Sequence, residues 1–381
     1  MMEAFERRYR RMQCIATAAF SLEGTVKREL MRLGMENVKG EMGCVRFDAD
    51  EKQIFTANLW LRSADRVLMV VAEGKVTTFE ELFQLVKKCR WADYLPKNAA
   101  FPVSGKCARS TLMSVRDCQA ITKKAIVEAM KQHYKMTWCP EDGAKYQIDV
   151  SIHNDMARIT IDTSGDALNK RGYRTWNGEA PLRETMAAAL VNMSPWHPFR
   201  DMALHDPCCG TGTLLIEAAM IQADRAPGLK RNFAIEQWAG MPKKAFDEIR
   251  EEAFAKFDPG KIHDISGSDI DPEALKLCKK HIVHAGLGGK ILVYQKDLKE
   301  LEVETEKPLC FIANPPYGER LSDKKQCEKL YRDMRGLHNR HIGSHISVVT
   351  AHTGFERCFG MRAQKKHRLY NGRLECEFLT Y

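Results

Sequence analysis

No apolar run in this 381-residue sequence approaches the roughly 20 residues a membrane span requires. The opening "MMEAFERRYRRMQ" lacks the apolar core of an export signal, so a cytoplasmic location is expected. No C-x-x-C pair occurs among the 13 cysteines, which read as free thiols in a reducing compartment, not as a disulfide framework. There is no internal repeat, no low-complexity segment and no basic tail. The formal net charge of +9 is spread over both halves. Such a balance suits a nucleic-acid partner but many other cytosolic proteins as well.

What is present is a soluble globular composition, long enough for two or three units at roughly 150 residues each. The first 165 residues alternate short strands and amphipathic helices. "QCIATAAF" reads as a strand, and "SLEGTVKRELMRLG" as a helix with Ser21 as its N-cap and Gly34 as its stop. "GCVRFDAD", "EKQIFTANLWLR" and "DRVLMVVAEG" then read strand, helix, strand, and two further helices follow. Asn154-Asp155 joins two alternating runs as a hairpin. The connector "SGDALNKRGYRTWNGEAPL" offers Lys170, Arg171 and Arg174 to phosphates, although a basic linker is more often merely solvated. Pro181 is suitably placed for the first turn of the next helix.

Beyond it, "MALHD", "ISGSD", "KILVYQ", "LCFIAN" and "HISVVTA" read as strands separated by helices, which implies a parallel α/β sheet covered on both faces. Asn371-Gly372 marks a closing antiparallel hairpin. A parallel sheet finished this way is the layout of class I, Rossmann-like methyltransferases.

Three strand ends carry acidic residues. Asp206 precedes "PCCGTG", where Gly210 and Gly212 allow backbone close to a ligand at a helix N-terminus. Leu215 stands where a dinucleotide loop needs its third glycine, and no G-K-[ST] follows. Asp206 would repel a pyrophosphate, whereas a zwitterionic amino acid offers it an ammonium and offers the backbone amides a carboxylate. The methionine end of S-adenosylmethionine fits. Asp269 ends the next strand, where ribose hydroxyls are expected, and Ile270 is grouped with it. Asp297 follows the third strand, in reach of an adenine amino group, although a solvated loop aspartate would look the same. An insertion, "RAPGLKRNFAIEQWAGMPKKAFDEIREEAFAKFD", lengthens the first crossover.

The fourth strand runs into Asn314-Pro315-Pro316-Tyr317. The amide and the stiffened Pro315 carbonyl are suited to accept hydrogen bonds from an exocyclic amine of a nucleobase. Those bonds oppose delocalisation of the nitrogen lone pair and aim it at a methyl donor. Tyr317 is suited to stack on the base, which must be flipped out or single-stranded. Cys208 and Cys209 read as packing residues rather than nucleophiles. His338, His341 and His345 have a metal-like spacing that no Cys or carboxylate pattern completes, so no metal is expected.

"DPCCGTGTLLIEAA", "GSDIDPEAL", "NPPYGERL" and "LNKRGYR" together resemble the bacterial THUMP-containing RNA methyltransferases related to RlmL, the 23S rRNA guanine-N2 methyltransferase. The resemblance implies an α+β ferredoxin-like domain over 1–65, a THUMP RNA-binding domain over 66–165 and a methyltransferase domain over 166–381. It also implies S-adenosylmethionine at Asp206, Gly210, Gly212 and Asp269, and the acceptor at Asn314 to Tyr317. The partner is then RNA, 23S rRNA first, with neither DNA nor membrane. Relatives with a second methyltransferase domain exist, so a single modification is expected here. A tRNA guanine-N2 or adenine-N6 enzyme, or a non-catalytic RNA-binding assembly factor, remains open, because the motif also serves other amines. Every chemistry motif lies after residue 166, which suggests that the second half binds the cofactor alone.

Overall fold

A computed structural model describes residues 11–174, 182–318, 321–372 and 374–381. In the first half the strands are β1 (Met12–Thr17), β2 (Glu36–Glu41), β3 (Cys44–Ala49), β4 (Arg66–Lys75), β5 (Val103–Ala108), β6 (Ile148–His153) and β7 (Met156–Asp162). Between them lie α1 (Glu23–Arg32), α2 (Glu51–Trp60), α3 (Phe79–Lys87) and α4 (Val115–Tyr134). The strands join in one seven-stranded sheet ordered β2-β3-β1-β4-β7-β6-β5. Strand β4 is the seam, pairing β1 on one side and β7 on the other. Alternation turns Cys14, Ala16, Val45 and Phe47 into the core.

The two strands that the pattern does not reveal, β2 and β5, are the two edges of this sheet. Edge strands need no continuous apolar face, and "ENVKGE" has none. Ser21 is not a cap: its φ is +70°, and α1 starts after Leu22 without any side-chain cap. Asp50 with Gln53, and Thr78 with Glu81, form the capping boxes instead. Gly34 does stop α1, at φ +74°. Asn154 and Asp155 both have positive φ, as the tight hairpin requires.

The second half holds β8 (Ala203–Asp206), β9 (Ile265–Asp269), β10 (Leu292–Gln295), β11 (Leu309–Ala313), β12 (His345–Thr350), β13 (Lys365–Asn371) and β14 (Leu374–Thr380). Its helices are α5 (Glu184–Met193), α6 (Thr213–Gln222), α7 (Lys243–Lys256), α8 (Pro272–His284), α9 (Leu321–Arg340) and α10 (Phe355–Phe359). The sheet order is β10-β9-β8-β11-β12-β14-β13, parallel from β10 to β12 and antiparallel through the hairpin. This is the α/β class expected. Pro181 lies outside the described residues. No helix among the described residues is long and apolar enough to cross a membrane.

The insertion does more than lengthen a crossover. Phe246 of α7 stacks on Phe55 of α2 with ring centroids 4.4 Å apart, and Trp238 stacks on Tyr146 at 4.8 Å. The Trp238 indole donates to the Lys145 carbonyl at 3.0 Å, and the Gly228 amide donates to Leu59 at 3.0 Å. Phe233, Trp238 and Phe246 are therefore part of the first half's core. The expected separability changes accordingly. A fragment of residues 166–381 leaves these three aromatic side chains without their cover, and each buries 150–250 Å² by type. It should be insoluble or aggregated and bind no S-adenosylhomocysteine. A soluble fragment with full-length affinity by calorimetry would contradict this.

The basic connector is likewise structural. Arg171 is buried, donates to the carbonyls of Leu168 and Arg62, and pairs with Glu217 of α6 at 3.4 Å. Arg174 donates to the Thr213 hydroxyl at 2.7 Å and pairs with Glu184 at 3.5 Å. Neither faces solvent phosphates. Only Lys170 remains exposed, against Asp166. The connector thus braces α6, whose first turn opens the next site.

Candidate active site

Chain order along the sheet reverses between β8 and β11, and α/β sheets bind ligands beyond the carboxyl ends of strands at such a reversal. Register brings the expected residues to that edge. Phe311 pairs with His205, Asp206 with Gly267, and Gln295 with Asp269. Asp269 and Asp206 end β9 and β8, while Asp297 and Asn314 follow β10 and β11 by two residues and one, at the same edge of four adjacent strands.

The loop between β8 and α6 is tight. Gly210 and Gly212 have φ of +50° and +84°, and the Gly212 amide donates to the Cys209 carbonyl at 2.7 Å. A Cβ at Gly212 would lie 2.5 Å from Cys278 Sγ, whereas one at Gly210 meets nothing within 4 Å. The Gly210 amide donates to Asp269 Oδ2 at 2.7 Å, and the Asp271 amide donates to Oδ1 at 3.0 Å. Asp269 therefore ties the loop to the strand end, keeping further lone pairs for a ligand. His281 of α8 sits 3.2 Å from the Thr211 carbonyl and backs the turn.

Asp206 is buried and accepts only the Cys208 amide, at 3.0 Å. Burial pushes its carboxyl well above the usual range, and the nearby Asp269 pushes it the same way. Among the described residues no cation pairs with either carboxylate. A buried Asp206 beside a half-buried Asp269, with no cation between them and next to a helix N-terminus, fits a ligand that brings its own positive charge and a carboxylate. The amino acid end of S-adenosylmethionine has both.

This sets a pH dependence. Only ionised Asp206 attracts an ammonium, and burial raises its pKa. Affinity for S-adenosylhomocysteine should fall as pH drops through that raised pKa, at a pH where an ordinary aspartate is still ionised. Asp206→Asn should bind weakly with this pH dependence gone. Calorimetry across pH checks both, and a wild-type profile no different from that of Asp206→Asn would count against the role.

Ile270 is 65% exposed at the same edge, an apolar surface beside the loop. Asp297 is exposed and caps a short turn by accepting the Lys299 amide at 2.9 Å, which uses one oxygen.

At Asn314 the arrangement differs from a simple open amide. The Tyr317 hydroxyl donates to Asn314 Oδ1 at 2.5 Å, and the ring is half-buried near Asn371 and Cys376 of the C-terminal hairpin. Burial pushes the Tyr317 hydroxyl up, so it stays a donor. Pro315 is buried and Pro316 exposed. The Pro316 carbonyl accepts from Tyr331 of α9 at 2.8 Å, a partner that no motif marks in the sequence. Burial pushes the Cys208 thiol up, and a hydrogen bond with Cys278 together with burial does the same for Cys209, which suits packing and not attack. His341 accepts the Val303 amide and His338 lies near Ser344. Among the described residues no group of three His, Cys, Asp or Glu is placed to hold a metal ion.

The RMKL-like methyltransferase domain model matches residues 171–380, the RlmL ferredoxin-like domain matches 13–68, and the THUMP domain matches 76–162. YpsC of Bacillus subtilis (strain 168), named as an RNA methyltransferase, is 41% identical over 369 residues, covering 96% of this chain and 95% of its own. A Listeria monocytogenes crystal structure, named for N6-adenine-specific DNA methylation, is 44% identical with a TM-score of 0.93, covering 99% of this chain and 97% of its own. SMU.472, a methyltransferase crystallised with S-adenosylhomocysteine, is 40% identical with a TM-score of 0.91, covering 97% and 98%. By sequence, domain order and fold, the chain belongs to the THUMP-containing, RlmL-like family of S-adenosylmethionine-dependent methyltransferases.

Proposed function

We propose that the protein methylates an exocyclic amine of an RNA base, most specifically N2 of a guanine in 23S rRNA. Residues 1–65 and 66–165 hold the RNA in this reading, and residues 166–381 carry the chemistry. The observation that carries it is the adjacency of Asp206 and Asn314 at the ends of paired central strands. S-adenosylmethionine, held by Asp206, the Gly210–Gly212 loop and Asp269, with Ile270 and Asp297 at its adenosine end, supplies an electrophilic methyl group.

Asn314 Oδ1 and the Pro315 carbonyl accept the two N–H bonds of the amine, which localises its lone pair toward the methyl. Nitrogen then forms its bond to the methyl carbon as the sulfonium bond breaks. The proton leaves to water once methylation has acidified it, so no strong base is required. The Tyr317 hydroxyl donates to Asn314 Oδ1. Base entry displaces it, and the freed ring is then available to stack on the base.

The THUMP match supports RNA as the substrate class. The Listeria relative's name keeps adenine N6 as a second reading, since the same two acceptors bind that amine equally well. Nucleoside mass analysis of rRNA and tRNA from cells with and without the gene separates these. The reading expects one N2-methylguanosine to vanish from 23S rRNA. Loss from tRNA, or loss of N6-methyladenosine, would move the assignment, and no change in either RNA would end it.

A further inference from the structure

We propose that Tyr331 is a positioning residue for methyl transfer: its hydroxyl anchors the Asn314–Tyr317 turn so that the Pro315 carbonyl stays aimed at the acceptor amine. This rests on the reading of Asn314 given above. The turn has an unusual need for such an anchor. Pro315 and Pro316 have no N–H, so neither can hold the middle of the turn through an amide of its own. The side-chain bond within the turn, Tyr317 to Asn314, shares the acceptor oxygen that the amine uses in this reading. The Pro316 carbonyl is free of that competition, and Tyr331 holds it at 2.8 Å.

The anchor is itself fixed. Tyr331 is fully buried on α9, its ring packed against His352 at 5.4 Å and Phe355 at 4.6 Å. The buried Thr350 hydroxyl, at the end of β12, lies beside the Tyr331 oxygen. Thr350 Oγ1 in turn accepts the His352 amide at 3.0 Å, which leaves its proton for Tyr331. A phenol has one proton, so that of Tyr331 goes to Pro316. Gly318 pins the other end of the turn: at φ +70°, a Cβ there would lie 2.9 Å from Lys324 Cα of α9. Helix α9 thus fixes the turn at two points. One proline carbonyl is taken up by it, and the other is left for substrate.

The test is single-turnover methyl transfer to in-vitro-transcribed 23S rRNA by the full-length chain, with Asn314→Ala as reference. Tyr331→Phe should transfer about 10- to 100-fold more slowly, the scale of a slightly misplaced reacting group. Its affinities for S-adenosylhomocysteine and for the RNA should stay at wild-type values. Thr350→Val should show a smaller loss in the same direction. The double variant should be no slower than Tyr331→Phe, because both act through one oxygen. If Asn314→Ala is slow but Tyr331→Phe runs at the wild-type rate, the anchor is refuted while the functional reading stands. If Asn314→Ala is itself unimpaired, the functional reading falls first. A Tyr331→Phe defect shared equally by rate and both affinities also refutes the proposal. Should that variant not fold, Thr350→Val decides by the same split between rate and affinity.

Discussion

Asn314→Ala should transfer its methyl group roughly 10²–10³-fold more slowly than the wild type in a single turnover, as deletion of one preorganised polar group in a transition state does. Its affinity for S-adenosylhomocysteine should hardly move. The amide stands at the end of β11, one strand over from Asp206, and faces the acceptor in this account. Asn314→Asp keeps an acceptor oxygen but adds charge beside the sulfonium, so it probes geometry and electrostatics together. Tyr317 provides the contrast. Tyr317→Ala should weaken base capture by about 1–3 kcal/mol, the worth of one stacking contact. Tyr317→Phe keeps the ring and releases Asn314 Oδ1, so capture should be retained. Equal losses for the two tyrosine variants would show that the hydroxyl, not the ring, matters.

Gly212→Val should abolish measurable cofactor binding. Two effects add. At φ +84° a β-branched residue is a genuine outlier, with strain of about 1–3 kcal/mol. Its Cβ would also sit 2.5 Å from Cys278 Sγ, a buried atom whose neighbour is Cys209. Either the loop or α8 must move, and the loop is the part that meets the ligand. A loss of about 100-fold or more in affinity follows at about 1.4 kcal/mol per tenfold. Gly210→Ala should cost much less, since open space surrounds that position. Calorimetry with S-adenosylhomocysteine checks both, and near-normal binding by Gly212→Val would remove the loop from the site.

The cofactor edge was legible because α/β folds place their chemistry at strand ends, and strand ends are visible as apolar runs stopped by Asp or Asn-Pro. Asp206, Asp269, Asp297 and Asn314 could be ordered before the sheet was seen. The edge strands β2 and β5 were hidden for the opposite reason, since polar edges carry no alternating signal. Ser21 illustrates a local rule overridden by context: a serine before a helix looks like a cap, but the turn out of β1 puts it at positive φ. Long-range partners were wholly illegible. Nothing in the composition of the insertion says that Trp238 will lie on Tyr146, or that Phe246 will lie on Phe55. The same holds for Arg171, which reads as a linker cation and instead pairs with Glu217 in another element. Tyr331 was missed because a tyrosine on an amphipathic helix has no sequence signature, although its hydroxyl reaches the central motif.

The most direct measurement is transfer of labelled methyl from S-adenosylmethionine by the purified full-length chain to in-vitro-transcribed 23S rRNA, followed by nucleoside analysis of the product. The account predicts label in N2-methylguanosine with the wild type, and label reduced by roughly 10²–10³ in initial rate with Asn314→Ala. Label appearing at the same rate in both proteins, or no label in any RNA base, would contradict it.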